Sequence, residues 1–336
     1  MTAGLPGRLP LFLAPMAGGP TSPELLAAVL RAGAGGFLPA GYLTAATLEA
    51  NLTELGDRMG PALEGAPYGV NLFVPGPNDQ ARDGQAITDY AARLGEGAGE
   101  PRWDDDDHYP DKLRLLTEVH RVPMVSFTFG CPGADEVAQL KQVGSRVLVT
   151  VTDLAEARAA AAVGADALVV QGFDAGGHRS THDVAKEPNH RDALALLPEL
   201  AERGLPMVAS GGVATRGDVQ RLLAAGAVAV QVGTAFLRCP EAGTSQAHRE
   251  LLATGHQTRI TRAFSGRPAR GIVNDFLERH DADAPAVYPQ VNHLTQPLRA
   301  AAAARGDSSQ VSGWAGAGWA AAQEIPAAEV VASLLP

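Results

Sequence analysis

Residues 207–233 read MVASGGVATRGDVQRLLAAGAVAVQVG: two short apolar runs separated by one helix-like segment. The runs do not alternate with polar residues, as expected of strands buried on both faces. GDVQRLLAAGA between them has helical composition and ends with a glycine stop signal. The runs end in Ser210-Gly211-Gly212 and Gly233-Thr234, where missing Cβ atoms let backbone N–H groups approach a phosphate ahead of a helix. Parallel barrels use the loops after their seventh and eighth strands in this way. The number of runs preceding this stretch therefore decides the architecture.

Six precede it: LFLAPM (11–16), GFLPAG (36–41), YGVNLFV (68–74), MVSFTFG (124–130), RVLVTV (146–151) and ALVVQG (167–172). Alanine-rich helical segments separate several of them. One of these, PELLAAVLRAG, has Ser22 as a potential N-cap, Pro23 at the first helical position and Gly33 at its end. Eight β units with intervening helices predict an α/β fold of the (β/α)8 TIM-barrel type. An open doubly wound sheet is the structural alternative, and the count of eight with late phosphate-type loops favours the barrel. Residues 75–112 read as a long excursion after the third strand. Residues 1–238 then form the barrel, 239–312 a smaller, mainly helical capping or substrate domain, and 313–336 a C-terminal return to the barrel.

The 336 residues carry a formal charge of −10, with 46% hydrophobic and 19% charged residues. This is the composition of a soluble globular chain, without the basic face that nucleic acid or an anionic membrane requires. The apolar run near the N-terminus is too short for a signal segment or membrane span and reads as a first buried strand. Cys131 and Cys239 form no CxxC motif, which points to reduced thiols in a cytoplasmic setting. No heptad or long apolar stripe specifies an oligomer.

Chemistry in such barrels sits at the C-terminal strand ends. These ends carry Pro15 and Met16 after strand one, Asn71 in strand three, and Gln171-Gly172 after strand six. A buried amide must be hydrogen-bonded, so Asn71 and Gln171 each bind a flat ligand edge or pair internally. The sixth run leads into QGFDAGGHRS (171–180), which carries His178 behind Gly176 and Gly177. Its context favours a histidine held over the barrel mouth rather than a solvated loop residue. His178, His182 and His190 lack the Glu of a zincin and any nearby cysteine or carboxylate ligand, so no metal site is expected. Asp104–Asp107 read as a solvated acidic turn. The glycines of GEGAGEP precede no strand–helix transition and make a weak dinucleotide motif. The cluster Arg262, Arg267 and Arg270 reads as a solvated face, with contact to cofactor phosphates as the alternative.

The chain resembles the class I nitronate monooxygenases, formerly called 2-nitropropane dioxygenases. APMAGGPTSPELLAAVLRAGAGGFLPAGY (14–42) is similar to the family's opening, QGFDAGGHRS to its active-site loop, and residues 209–236 to its phosphate loops. TRAFSGRPARGI (261–272) and YPQVNHLTQPLRAA (288–301) are similar to its later segments. The resemblance implies FMN held by Pro15, Met16, Asn71, Gln171, Gly172, Gly176, Gly177, Ser210, Gly211, Gly212, Gly233 and Thr234, with His178 as the active-site histidine. Tyr109, Tyr288 and Trp314 are candidates for the substrate pocket; WAGAGWAAA (314–322) departs from the family in showing tryptophans where a tyrosine is expected.

The implied reaction is oxidation of a nitronate, such as propionate 3-nitronate or an alkyl nitronate, by O2 to a carbonyl compound and nitrite. With an anion beside it, His178 can carry a proton at neutral pH and bind the nitronate, or act as base on a neutral nitroalkane. The competing readings are an FMN-dependent enoyl reductase fed by NAD(P)H and a flavin-binding protein without turnover.

Overall fold

The computed structural model describes residues 9–335; residues 1–8, which open the predicted barrel segment, and Pro336, which ends the predicted C-terminal return, lie outside the described residues. Eight parallel strands close into a barrel: β1 (Leu11–Leu13), β2 (Gly35–Pro39), β3 (Tyr68–Phe73), β4 (Met124–Thr128), β5 (Arg146–Val151), β6 (Ala167–Gln171), β8 (Met207–Ser210) and β9 (Ala229–Val232). β9 pairs back onto β1, with Leu11 opposite Val230, so the sheet has no edge and the open-sheet alternative is excluded. The omitted number is β7 (Gly177–His178), which lies outside the barrel.

Side-chain alternation divides each strand between two environments. Leu11, Leu13, Leu38, Val70, Leu72, Val125 and Phe127 point outward and join the helix–sheet core. Phe12, Phe37, Met124, Leu148, Ala167, Val169, Val208 and Ala229 form a separate buried cluster, the apolar filling of the barrel. Gly69 belongs to this interior by necessity, since a Cβ there would come within 2.6 Å of the Phe37 ring. Moving up the strands, the inward positions become polar: Asn71, Thr128, Thr150, Gln171, Ser210 and Gln231. The barrel is thus plugged by hydrocarbon below and has a hydrogen-bonding floor above.

The helices follow their sequence signals. Helix Pro23–Arg31 is capped by Ser22, whose hydroxyl accepts from the Leu25 N–H. Helix Arg216–Ala224 starts with a capping box, Thr215 with Asp218, and stops before Gly226 at φ +104°, where a side chain would be strained. Helix Ala327–Leu334 lies against helix Pro23–Arg31.

Residues 239–312 contribute no barrel strand. They supply helices Gln246–Thr254, Asp275–His280 and Gln290–Ala304, together with strands β10 (Thr258–Thr261) and β11 (Ala269–Ile272). β10, β11 and β7 form a three-stranded antiparallel sheet in which Ala269 faces His178 and Arg270 faces Gly177. The excursion at 75–112 carries helix Gln80–Leu94, which packs on helix Gln290–Ala304. Its acidic turn is only half solvated, unlike the expectation. Asp105 accepts from His293 at 2.6 Å, and Asp107 pairs with the buried Lys112 at 2.8 Å while accepting from the Tyr42 N–H. None of the helices among the described residues is long and apolar enough to cross a membrane.

Candidate active site

A cavity of about 490 Å³ opens above the polar floor at the C-terminal ends of the barrel strands. It is within the size range of cofactor and small-ligand sites. Pro15, Met16, Asn71, Gln171, Gly176, Gly177, His178, Ser210, Gly211, Gly212, Gly233, Thr234 and Trp314 all line it. The sequence-predicted residues therefore converge, with Gly172, Tyr109 and Tyr288 standing apart.

Gly172 is a packing glycine. A Cβ there would come within 2.4 Å of the Ala193 backbone nitrogen, and its N–H is spent on the Ser210 carbonyl. Tyr109 belongs to the helix–sheet core, where its hydroxyl donates to Glu136 at 2.9 Å. The sequence offered no means of telling a core tyrosine from a pocket one. Tyr288 is not itself a lining residue but stands edge-on to two that are, Phe129 at 5.4 Å and His178 at 6.0 Å.

At one end of the cavity the glycine loops form an open cradle. The N–H groups of Gly211, Gly212, Thr234 and Ala235 have no hydrogen-bond partner among the described residues. Gly211 and Gly212 have φ of +106° and +72°, and a Cβ on either would come within 2.9 Å of the Ala175–Asp174 segment. Unpartnered, sterically open N–H groups suit the oxygens of a phosphate. These residues fit a cofactor bearing a terminal phosphate and a flat polar ring system to lie on the amide- and hydroxyl-bearing floor.

The two floor amides differ in function. Asn71 donates through Nδ2 to the Ser126 carbonyl (3.2 Å), Ser126 Oγ (2.9 Å) and Thr128 Oγ1 (2.9 Å). A carbonyl only accepts, which fixes the amide orientation and leaves Oδ1 for a ligand. Gln171 is an internal clamp: Nε2 donates to the His178 carbonyl and Oε1 accepts from the Ser180 N–H, both at 3.0 Å.

The clamp and the β7–β11 pairing hold His178 in the cavity wall. Its Nε2 lies 2.8 Å from Ser265 Oγ, and the ring meets Phe129, Tyr288 and Trp314 at centroid distances of 5.5–6.0 Å. Burial, then the charges of Arg267 and Arg299, push His178 from 6.5 down to about 3. With no anion beside it and two cations near it, the imidazole is therefore held neutral in this structure at physiological pH. Nδ1 has no partner among the described residues and is the ring nitrogen left for a ligand.

The arginine cluster also departs from the expected solvated face. Arg267 is 1% exposed, lies 4.0 Å over the Phe129 ring and donates to the Thr181 carbonyl. Arg270 is 7% exposed and donates to the Phe173 carbonyl, while Arg262 serves the Val184 and Gly266 carbonyls and pairs with Glu187. Backbone carbonyls take up these guanidinium donors, which composition cannot reveal. Burial lowers Arg267 only to about 10, so it stays charged.

Sequence reasoning missed Thr21, Ser265, His248 and Arg299. Thr21 closes the β1 turn, accepting from the Met16 N–H and donating to the Ala14 carbonyl. His248 bonds the Trp314 carbonyl at 3.1 Å and is pushed down to about 4 by burial. The polar layer of Thr128, Thr150 and Gln231 was visible as alternate positions near the ends of the apolar runs. Ser265 and Arg299 gave no local signal, since their partners in the site are far away in sequence.

A (β/α)8 barrel with a phosphate-type cradle and a neutral histidine at its mouth belongs to the class of cofactor-binding barrel enzymes. The nitronate monooxygenase family model matches residues 5–336, and the chain belongs to that family. It is 41% identical over 343 aligned positions to a nitronate monooxygenase of Pseudomonas aeruginosa, covering 97% of this chain and 95% of the relative. Among solved structures, a nitroalkane oxidase from Streptomyces ansochromogenes matches with a TM-score of 0.91 and 42% identity, over 98% of this chain and 95% of the other. FabK from Thermotoga maritima matches at TM-score 0.75 and 23% identity, over 98% and 92% of the two chains, a likeness of fold.

Proposed function

We propose that this chain uses FMN to oxidise nitronates with O2, giving a carbonyl compound and nitrite. The observation that carries the reading is a neutral histidine with a free ring nitrogen in the same cavity as unpartnered glycine-loop N–H groups. It occurs in a chain of the nitronate monooxygenase family. Gly211, Gly212, Gly233 and Thr234 would hold the FMN phosphate, with Asn71 Oδ1, Met16 and Ser210 beside the rest of the cofactor. When bound, FMN supplies the electron-transfer chemistry that no side chain here can provide.

The chain's own groups have the remaining tasks. Gln171 holds the backbone on both sides of Arg179, and Ser265 holds Nε2, so the imidazole is oriented before the substrate arrives. Neutral His178 hydrogen-bonds the nitronate, while Arg267 and Arg299 provide the positive potential that favours the anion. Phe129, Tyr288 and Trp314 keep water from the ring. A histidine held near 3 is a poor base for a neutral nitroalkane at pH 7, so the preformed nitronate is the better substrate.

An NAD(P)H-fed enoyl reductase is less well supported, because Arg267 and Arg270 are buried against backbone carbonyls rather than presented to nicotinamide phosphates. The test offers propionate 3-nitronate or ethyl nitronate to the FMN-loaded protein in air, with NAD(P)H absent, and follows O2 and nitrite together. Nitronate-dependent O2 uptake with nitrite release supports the proposal. If O2 uptake needs NAD(P)H, or no turnover occurs with either, the proposal fails.

A further inference from the structure

Among the described residues, Arg299 is the only Lys, Arg, Asp or Glu side chain lining the cavity. It projects from helix Gln290–Ala304, outside the glycine loops that form the cradle. Its partners are neutral. Nη2 donates to Asn292 Oδ1 at 2.6 Å and the Asn292 carbonyl at 3.4 Å, Nε to Thr295 Oγ1 at 3.2 Å, and Nη1 to Ser312 Oγ at 3.4 Å. No carboxylate pairs with it among the described residues. A guanidinium has five N–H donors, so these four contacts, two of them long, leave Nη1 with a donor to spare.

A half-buried cation in a cavity wall is costly unless something anionic meets it. The asparagine, threonine and serine around Arg299 fix its orientation without cancelling its charge, as would suit a site whose counter-ion is the ligand. The cradle offers backbone N–H groups of its own, those of Gly211, Gly212, Thr234 and Ala235, and none of the Arg299 contacts involves them. Arg299 also acts electrostatically on His178, as well as on Tyr42 and Tyr288. Its contact Ser312 accepts from the Trp314 N–H through its carbonyl (2.8 Å), and the Trp314 ring lies 5.5 Å from the His178 ring, which places Arg299 towards the His178 end of the cavity.

We infer that Arg299 is a specificity-determining residue that binds the anionic O–N–O group of the substrate and selects the nitronate over the neutral nitroalkane. This deepens the proposed function and rests on it for the identity of the substrate. The anion site itself is testable separately, with nitrate as a planar, unreactive anion of similar shape.

The experiment compares the FMN-loaded wild type with Arg299→Gln and Arg299→Lys. Nitrate is titrated while the flavin absorbance is followed, and KM and kcat are measured for ethyl nitronate and neutral nitroethane. Loss of one charged hydrogen bond raises the nitrate Kd and nitronate KM of Arg299→Gln roughly 10- to 100-fold. Its kcat and its kcat/KM for nitroethane change much less, and Arg299→Lys recovers part of the nitrate affinity. If Arg299 only ties its helix to Ser312, Arg299→Gln loses both substrates equally while nitrate binding is unchanged, and the inference is overturned. If wild type binds nitrate and Arg299→Gln does not, yet neither oxidises nitronates, the anion site stands and the proposed function falls.

Discussion

Gln171→Met tests the clamp beneath His178. Methionine nearly preserves the side-chain volume but removes the donor to the His178 carbonyl and the acceptor for the Ser180 N–H, both at 3.0 Å. Gln171 is 9% exposed and Ser180 2%, so water does not readily replace these bonds. Each orphaned buried group costs about 1–3 kcal/mol. Methionine's apolar contacts offset part of this, giving a net loss of roughly 2–4 kcal/mol. The loop pairs with β11 at Gly177 and His178, with the Arg179 N–H on the Pro268 carbonyl just beyond, so the damage falls on the segment that carries the active-site histidine. A displacement of the order of 1 Å costs on the order of 100-fold in rate. The assay pairs urea unfolding with steady-state oxidation of ethyl nitronate, with FMN content measured to confirm an intact barrel. If Gln171→Met retains FMN, unfolds within about 0.5 kcal/mol of wild type and turns over at the wild-type rate, the clamp argument is wrong.

Gly212→Ala puts a Cβ 2.9 Å from Asp174 Cβ on a backbone with φ +72°, so FMN affinity falls at least about tenfold, measured by fluorescence on release of the flavin. Tyr109→Phe removes the bond to Glu136 in the helix–sheet core, so it lowers stability by about 1 kcal/mol and leaves nitronate KM unchanged in kinetic assays. Acid should destabilise the fold through His178 and His248, pushed from 6.5 down to about 3 and about 4. Below pH 6.5 the unfolded chain binds protons that the folded chain refuses. Stability is therefore complete above 6.5 and falls from 6.5 to about 4 through His248 and to about 3 through His178, by up to roughly 1.4 kcal/mol per pH unit for each histidine. Urea unfolding from pH 7 to 4.5 measures this, and His248→Gln should reduce the slope.

The barrel was legible because each strand is a short apolar run between helices, and RVLVTV at 146–151 matches β5 residue for residue. Other runs were read a residue or more too far, as LFLAPM was for a strand ending at Leu13. There the turn chemistry of Pro15 and Gly18 takes over before hydrophobicity ends. The cradle was legible because glycine marks places that exclude a Cβ. The sheet β10–β11–β7 was not, since TRIT, ARGI and GH are short and partly polar, and their pairing joins segments far apart in sequence. The burial of Arg267 was hidden for the same reason: the carbonyl of Thr181 and the ring of Phe129 that receive it come from distant strand ends. Gln171 and Asn71 looked alike in sequence, and only their partners distinguish a clamp from a ligand contact.

The proposed role of His178, in the cavity wall beside the glycine-loop cradle, is direct action on the nitronate. Oxygen uptake with ethyl nitronate, comparing wild type and His178→Asn at equal FMN content, tests that role. Rapid uptake with stoichiometric nitrite is expected for wild type, and a loss of about 100-fold or more for His178→Asn. Equal rates from the two proteins would contradict it.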